Sequence, residues 1–232
     1  MYKKRNDGRK FDELRPIQAK TGVVKRADGS AMFKIGNTRA IAAVYGPREL
    51  HPKFLQNPEK GVLRCNYNMM GFSGAGERVR PGPNRRAKEL SMVIEKSLTP
   101  VLDLTAYPNA VIDIFIELVE TDAGTRCAAI CAAAMALADA GIPMKDLVTA
   151  VSVGDAEGTL CLDINAYEDC DMGATDIPIA IMPRTGEVTL LQLDGKIKKE
   201  QLKEAIKMAI KGCKEIYEIQ KKALKERYQN DK

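Results

Sequence analysis

The stretch VIDIFIELVETDAGTRCAAICAAAMALA, Val111 to Ala138, changes its hydrophobic period half-way along. Up to Val119 the apolar residues alternate: Ile112, Ile114, Ile116 and Leu118 fall on one face, Asp113 and Glu117 on the other. That pattern predicts a half-buried strand. From Cys127 onward the chain is apolar on every side and rich in alanine, which predicts a helix packed deep between other layers. The junction is Asp122-Ala123-Gly124-Thr125-Arg126, so a glycine and a cation stand where the strand hands over to the helix.

Working outward, Gly22–Arg26 and Ala31–Ile35 flank Asp28-Gly29, a hairpin signal, and Thr38–Tyr45 reads as a third strand stopped by Gly46-Pro47. Asn84 is placed to cap a helix from Arg85 to Leu98, with Leu90, Val93, Ile94 and Leu98 as its buried stripe; Pro100 ends it. Beyond the buried helix, closed by Gly141 and Pro143, come four strand-like runs: Leu147–Val153, Thr159–Ile164, Ile177–Met182 and Val188–Leu193. A helix from about Lys199 to Arg227 finishes the chain, with Leu202, Ile206, Ile210, Ile216 and Ile219 on its dry side. No Pro/Gly/Ser-rich linker interrupts this order. The expected class is α+β, a single domain over residues 1–232 with mixed sheets and helices packed between and around them.

Composition narrows the function classes. At 232 residues the chain is long enough for a sizeable core. No apolar run approaches the roughly 18–20 residues of a membrane span, and the first residues, Met1-Tyr2-Lys3-Lys4-Arg5, lack the apolar core of a secretory signal. Six scattered cysteines with no CxxC pair, and a lone His51, read as buried thiols in a reducing compartment rather than as a zinc site. The expectation is a cytoplasmic protein with no membrane partner.

The net charge of +5 conceals a strong segregation. Residues 1–26, 48–88 and 196–232 each carry a net +6, whereas residues 103–176 carry −12. Such a division suits a chain that attracts a polyanion while holding carboxylates at a reaction centre, although the lysines of the last segment read equally well as the wet face of its helix. Within 48–88, four glycines and two prolines between positions 71 and 83 predict irregular backbone. Arg78 and Arg80 on such loops, with Arg85 and Arg86 at the helix start beside them, suit a phosphate backbone, with Phe72 or Tyr67 available to stack on bases.

Two further groups carry candidate chemistry. Gly124-Thr125-Arg126 opens a helix, where unpaired N–H groups and the dipole favour an anion; the same residues also make a plain helix start. The run Asp163 to Asp176 holds five carboxylates in fourteen positions, enough for a general acid or a divalent cation, or simply for a soluble loop.

In their order along the chain, Pro83-Asn84-Arg85-Arg86 with Glu89-Leu90-Ser91, Thr121–Arg126, Ala136–Pro143 and Glu168-Asp169…Thr175-Asp176-Ile177-Pro178 resemble the RNase PH family. Tyr45–Glu49, His51-Pro52-Lys53 and Ile181-Met182-Pro183 resemble, more narrowly, the catalytic RNase PH-like subunits of archaeal exosomes. The resemblance runs from about Gly8 to Tyr228. It implies a phosphorolytic 3′→5′ exoribonuclease, with inorganic phosphate as co-substrate, nucleoside diphosphates as products and tail synthesis as the reverse reaction. Carried over by position, Gly124, Thr125, Arg126 and Arg86 would hold phosphate, and Arg85, His51, Lys53, Arg78 and Arg80 would contact single-stranded RNA. Asp169, with Asp176 beside it, would be the general acid or the carboxylate linked to a divalent cation such as Mg2+. The family pattern has one residue fewer between its two aspartates, so Asp171 competes with Asp169 for that role; Asp169, which follows Glu168, is the expected one. The resemblance further implies a hexameric ring shared with a related inactive subunit and topped by RNA-binding cap subunits. A non-catalytic ring subunit and a free-standing homo-hexameric RNase PH are the alternatives.

Overall fold

The alternating and the alanine-rich runs fold as their patterns dictate. A computed structural model describes residues 2–74, 80 and 84–230. The chain runs β1 (Ile17–Thr21), β2 (Gly29–Ile35), β3 (Thr38–Glu49), β4 (Val62–Met69), α1 (Arg85–Leu98), β5 (Ala110–Glu120), α2 (Thr125–Asp139), β6 (Thr149–Ala156), β7 (Thr159–Leu162), β8 (Thr175–Ile181), β9 (Val188–Leu191) and α3 (Lys199–Asn230). Strands β1 to β5 form one sheet in the order β1-β2-β3-β5-β4, and β6 to β9 a second in the order β7-β6-β8-β9. Among the strands named, β4 and β5 are parallel neighbours, joined by α1 as a crossover helix, and the other pairings are antiparallel.

Helix α2 lies between the two sheets, touching β2, β3 and β5 on one side and β6 and β8 on the other. Only Arg126 and Ala138 of its 15 residues escape full burial. Alanine makes this approach close enough to constrain the neighbours: a Cβ on Gly29 would stand 2.2 Å from the Ala140 nitrogen. The glycine of the Asp28-Gly29 pair is thus required by packing, and β2 begins at it. One continuous apolar core joins both sheets through α2.

In the first sheet three strands differ from the sequence expectation. The first strand is Ile17–Thr21, not Gly22–Arg26, which forms the turn closed by the Ser30 hydroxyl and the Val24 N–H at 2.9 Å. Strand β3 does not stop at Gly46-Pro47 but passes them by a bulge, with Tyr45 facing Asp113 and Arg48 facing Val111. Strand β4 was hidden by its composition: Leu63, Cys65 and Tyr67 point inward while Arg64, Asn66 and Asn68 point out. On α3 the innermost stripe is Ala205, Ala209, Cys213 and Ile216, so small residues seat the helix and the larger isoleucines flank it. Helix α1 begins as expected, with the Asn84 Oδ1 accepting from the Ala87 N–H at 2.7 Å.

Candidate active site

The turn from β5 into α2 is built from strained backbone held in place by side chains. Ala123 and Gly124 both sit in the left-handed region, at φ 54° and 63°, and turn the chain abruptly into the helix. Thr38 braces them: its hydroxyl donates to the Ala123 carbonyl at 2.7 Å and accepts from the Asp122 N–H at 2.9 Å. Arg15, itself buried, donates to the Asp122 carbonyl from beneath. Among the described residues no side chain caps α2, so its first N–H groups point outward with the positive end of the helix dipole behind them.

A cleft of about 230 Å3 opens over this helix end, lined by Gly124, Thr125, Arg126, Arg86, Ser152, Asp169, Cys170 and Asp176. One terminal nitrogen of Arg126 donates to the Gln192 Oε1 at 2.8 Å, and the other stands 3.7 Å from the Asp176 carboxylate. Asp176, on β8, also accepts from the Ser152 hydroxyl, and its backbone pairs with Asp194 at 2.9 and 2.8 Å. Burial pushes the Asp169 carboxyl above the usual carboxylate range, and the neighbouring Asp176 adds to this; Arg126 and Arg86 oppose it.

Asp169 rides on a wide turn over Tyr167–Asp171 in which the Met172 N–H reaches back five residues to the Tyr167 carbonyl, at 3.0 Å. A π-type turn holds one residue more than an α-helical one, which accommodates the additional residue between the two aspartates. Asp169 faces the cleft and Asp171 is exposed outside it. The turn is anchored through Glu168, which is fully buried and accepts from Arg5 at 2.8 and 2.6 Å and from the Tyr2 hydroxyl at 3.2 Å. Arg5 donates onward to the Leu162 and Asp163 carbonyls, and Asp163 pairs with Arg15 at 2.7 Å. The first basic segment is therefore in part internal structure, not a solvent-facing field.

Of the cations expected at the site, Arg86 and Arg126 converge with Asp169 and Asp176 on the cleft, whereas Arg85, exposed like Arg86 on the first turn of α1, is not among the lining residues. His51 and Lys53 are exposed and sit 3.5 and 3.6 Å from Glu49, which pairs with Ala110 at the start of β5. The 11 residues of β5 span roughly 33 Å at about 3.3 Å each, so this pair lies at the opposite end of the strand from the cleft. Arg80 is exposed, and Arg78 lies outside the described residues. Tyr67, expected as a stacking candidate, is only 4% exposed and belongs to the core; Phe72, 74% exposed beside the Gly74–Thr121 bridge, keeps that possibility. Cys170 is the exception among the cysteines, the other five being buried. Ser152, Gln192, Arg5 and Arg15 carry no local signal, because each acts on a partner more than twenty residues away.

The description "3′ exoribonuclease family, domain 1" matches residues 13–143, and domain 2 of the same family matches residues 146–212. The chain belongs to the RNase PH family. Among its RNase PH-family relatives, the exosome complex component Rrp41 of Pyrococcus furiosus is 55% identical over 97% of this chain and 89% of its own length. The Rrp41 component of Methanopyrus kandleri is 52% identical over 98% and 94%. Among solved structures, rice Rrp46 superposes with a TM-score of 0.85 at 27% identity, covering 95% of this chain and all of that one. An Archaeoglobus fulgidus exosome chain shares the fold at a TM-score of 0.80 and 23% identity, covering 93% and 92%. The two family domains meet between α2 and β6, where the first sheet gives way to the second.

Proposed function

We propose that this RNase PH-family chain is the catalytic subunit of an archaeal-type exosome, degrading RNA from the 3′ end by phosphorolysis in the cytoplasm. The observation that carries this reading is the convergence of Arg86, Arg126 and the uncapped end of α2 with Asp169 and Asp176 on one cleft. Two anions must meet for phosphate to attack a phosphodiester, and that chemistry depends on positioning and charge neutralisation more than on covalent help. Inorganic phosphate sits against the Gly124–Arg126 corner, and Arg86 neutralises the scissile phosphodiester. A phosphate oxygen bonds to the terminal phosphorus, the bond to the preceding 3′ oxygen breaks, and Asp169 delivers the proton that the departing oxygen needs. Its raised affinity for a proton suits that task. A nucleoside diphosphate leaves; run backwards, the same steps lengthen an RNA tail.

Asp169 and Asp176 with phosphate oxygens and water also fit the ordinary coordination of Mg2+, which uses one or two carboxylates beside substrate phosphates. Among the described residues no group of three His, Cys, Asp or Glu side chains forms a closed metal cage. When bound, the ion would neutralise charge on the phosphates. Exposed Arg85, Arg80, His51 and Lys53 are assigned to the RNA strand. The exosome-component names of the relatives support assembly into an exosome complex; within this proposal the chain shares a ring with a related inactive subunit, topped by RNA-binding caps. The test is a pair of variants assayed in the assembled complex. Asp169→Ala abolishes degradation and tail synthesis and still binds RNA, while Asp171→Ala stays active. The reverse pattern, or an active Asp169→Ala, overturns the assignment.

A further inference from the structure

One buried group beside the cleft lacks the partner its chemistry requires. Tyr67 lies near the end of β4, its backbone N–H donating to the Ser91 hydroxyl of α1 at 2.9 Å and its ring packed in the core at 4% exposure. Its hydroxyl faces Thr125, the first residue of α2, and lies in the field of Arg86 and Arg126. Among the described residues it closes no hydrogen bond of normal geometry. An unsatisfied buried hydroxyl is costly, and phenylalanine would fill the same space without one. Here the oxygen stands against an uncapped helix end and two arginines, a polar group with no protein partner of normal geometry among the described residues.

We propose that Tyr67 is a positioning residue for the phosphate site: its hydroxyl donates to the Thr125 hydroxyl and thereby turns the Thr125 O–H outward, as a donor to the bound anion. A hydroxyl both donates and accepts, so Thr125 can serve the anion and Tyr67 at once. With phosphate at the corner, Thr125 is held between the anion and Tyr67, whose oxygen is the inner end of a two-step chain. This inference rests on the phosphate-binding reading of the Gly124–Arg126 corner and names the residue behind it.

The test is thermal unfolding of the full chain and of Tyr67→Phe in rising inorganic phosphate, which yields a phosphate Kd without requiring turnover. Wild type is stabilised by phosphate. Tyr67→Phe without phosphate melts at the same temperature or higher, since an unsatisfied buried oxygen has been removed, and its phosphate Kd is about tenfold weaker, the loss expected for one hydrogen bond in a charged network. In Thr125→Val the second change adds no further weakening. A lower melting point for Tyr67→Phe with an unchanged Kd makes the hydroxyl merely structural and overturns the proposal, as does an unchanged Kd alone. If phosphate fails to stabilise wild type, the reading of the corner itself has failed, a separate result.

Discussion

Replacing Arg126 by methionine keeps an unbranched apolar stem and removes the guanidinium with its charge. A guanidinium about 4 Å from a phosphate oxygen, at the effective dielectric of a partly exposed site, is worth about 4 kcal/mol. Losing one preorganised group at a developing charge elsewhere costs about 3–4 kcal/mol, or 10²–10³ in rate. Both routes give the same expectation, a fall of roughly 10²–10³ in kcat/KM for phosphate. Stability should hardly change. The Arg126–Asp176 contact is long, at 3.7 Å, and both side chains are partly solvated, so its contribution to folding is at most about 1 kcal/mol, less than about 4 °C in a chain of this size. The assay is initial rate against phosphate concentration in the assembled complex, with a melting curve on the same sample. A loss under tenfold, or a melting point that collapses together with the rate, would refute the idea that Arg126 acts on substrate rather than on the fold.

Three further outcomes are expected. Asp169 has its proton affinity raised in the folded state by burial and by Asp176, so its charge opposes folding once pH rises through that value. Asp169→Asn is expected to melt at or above wild type near pH 7, the difference shrinking as the pH falls and the wild-type carboxyl protonates; activity is lost throughout. Used as a general acid, Asp169 also makes the wild-type kcat fall on the alkaline side of its pKa, and a kcat that rises there would assign it to cation binding instead. Arg5→Met strips a fully buried carboxylate of its partner and is expected to cost about 3–5 kcal/mol, or about 6–20 °C. A denaturation curve within about 2 °C of wild type would show that the pair does not anchor the Asp169 turn.

The parts of the molecule legible from sequence are those specified locally. The alternation of β5, the unbroken apolar run of α2 and the Asn84 cap of α1 each follow from a few neighbouring residues, and each appears where expected. What escaped depends on distant partners. Strand β4 carries arginine and asparagine on its outer face, and its parallel pairing with β5 crosses α1, so no local turn announces it. The bulge at Gly46-Pro47 is set by register with β5, not by the glycine and proline that suggest a stop. Arg5 and Glu168 lie 163 positions apart, and in sequence they are one more cation and one more carboxylate.

The site divides in the same way. Gly124-Thr125-Arg126 could be read as an anion-binding corner because the helix behind it was readable. That Arg86 lines the cleft and Arg85 does not depends on the rotation of α1, and Tyr67 reads as a stacking surface only where β4 is not recognised. The inward pleat of that strand places Tyr67 behind Thr125 instead of in front of the RNA.

The most direct measurement is the identity of the product. With the assembled complex and a single-stranded RNA substrate, phosphate should be strictly required, and the released nucleotides should be nucleoside 5′-diphosphates carrying label from added phosphate. Nucleoside monophosphates formed in phosphate-free buffer would mean that water is the nucleophile, and the corner at Gly124–Arg126 would have no co-substrate to hold.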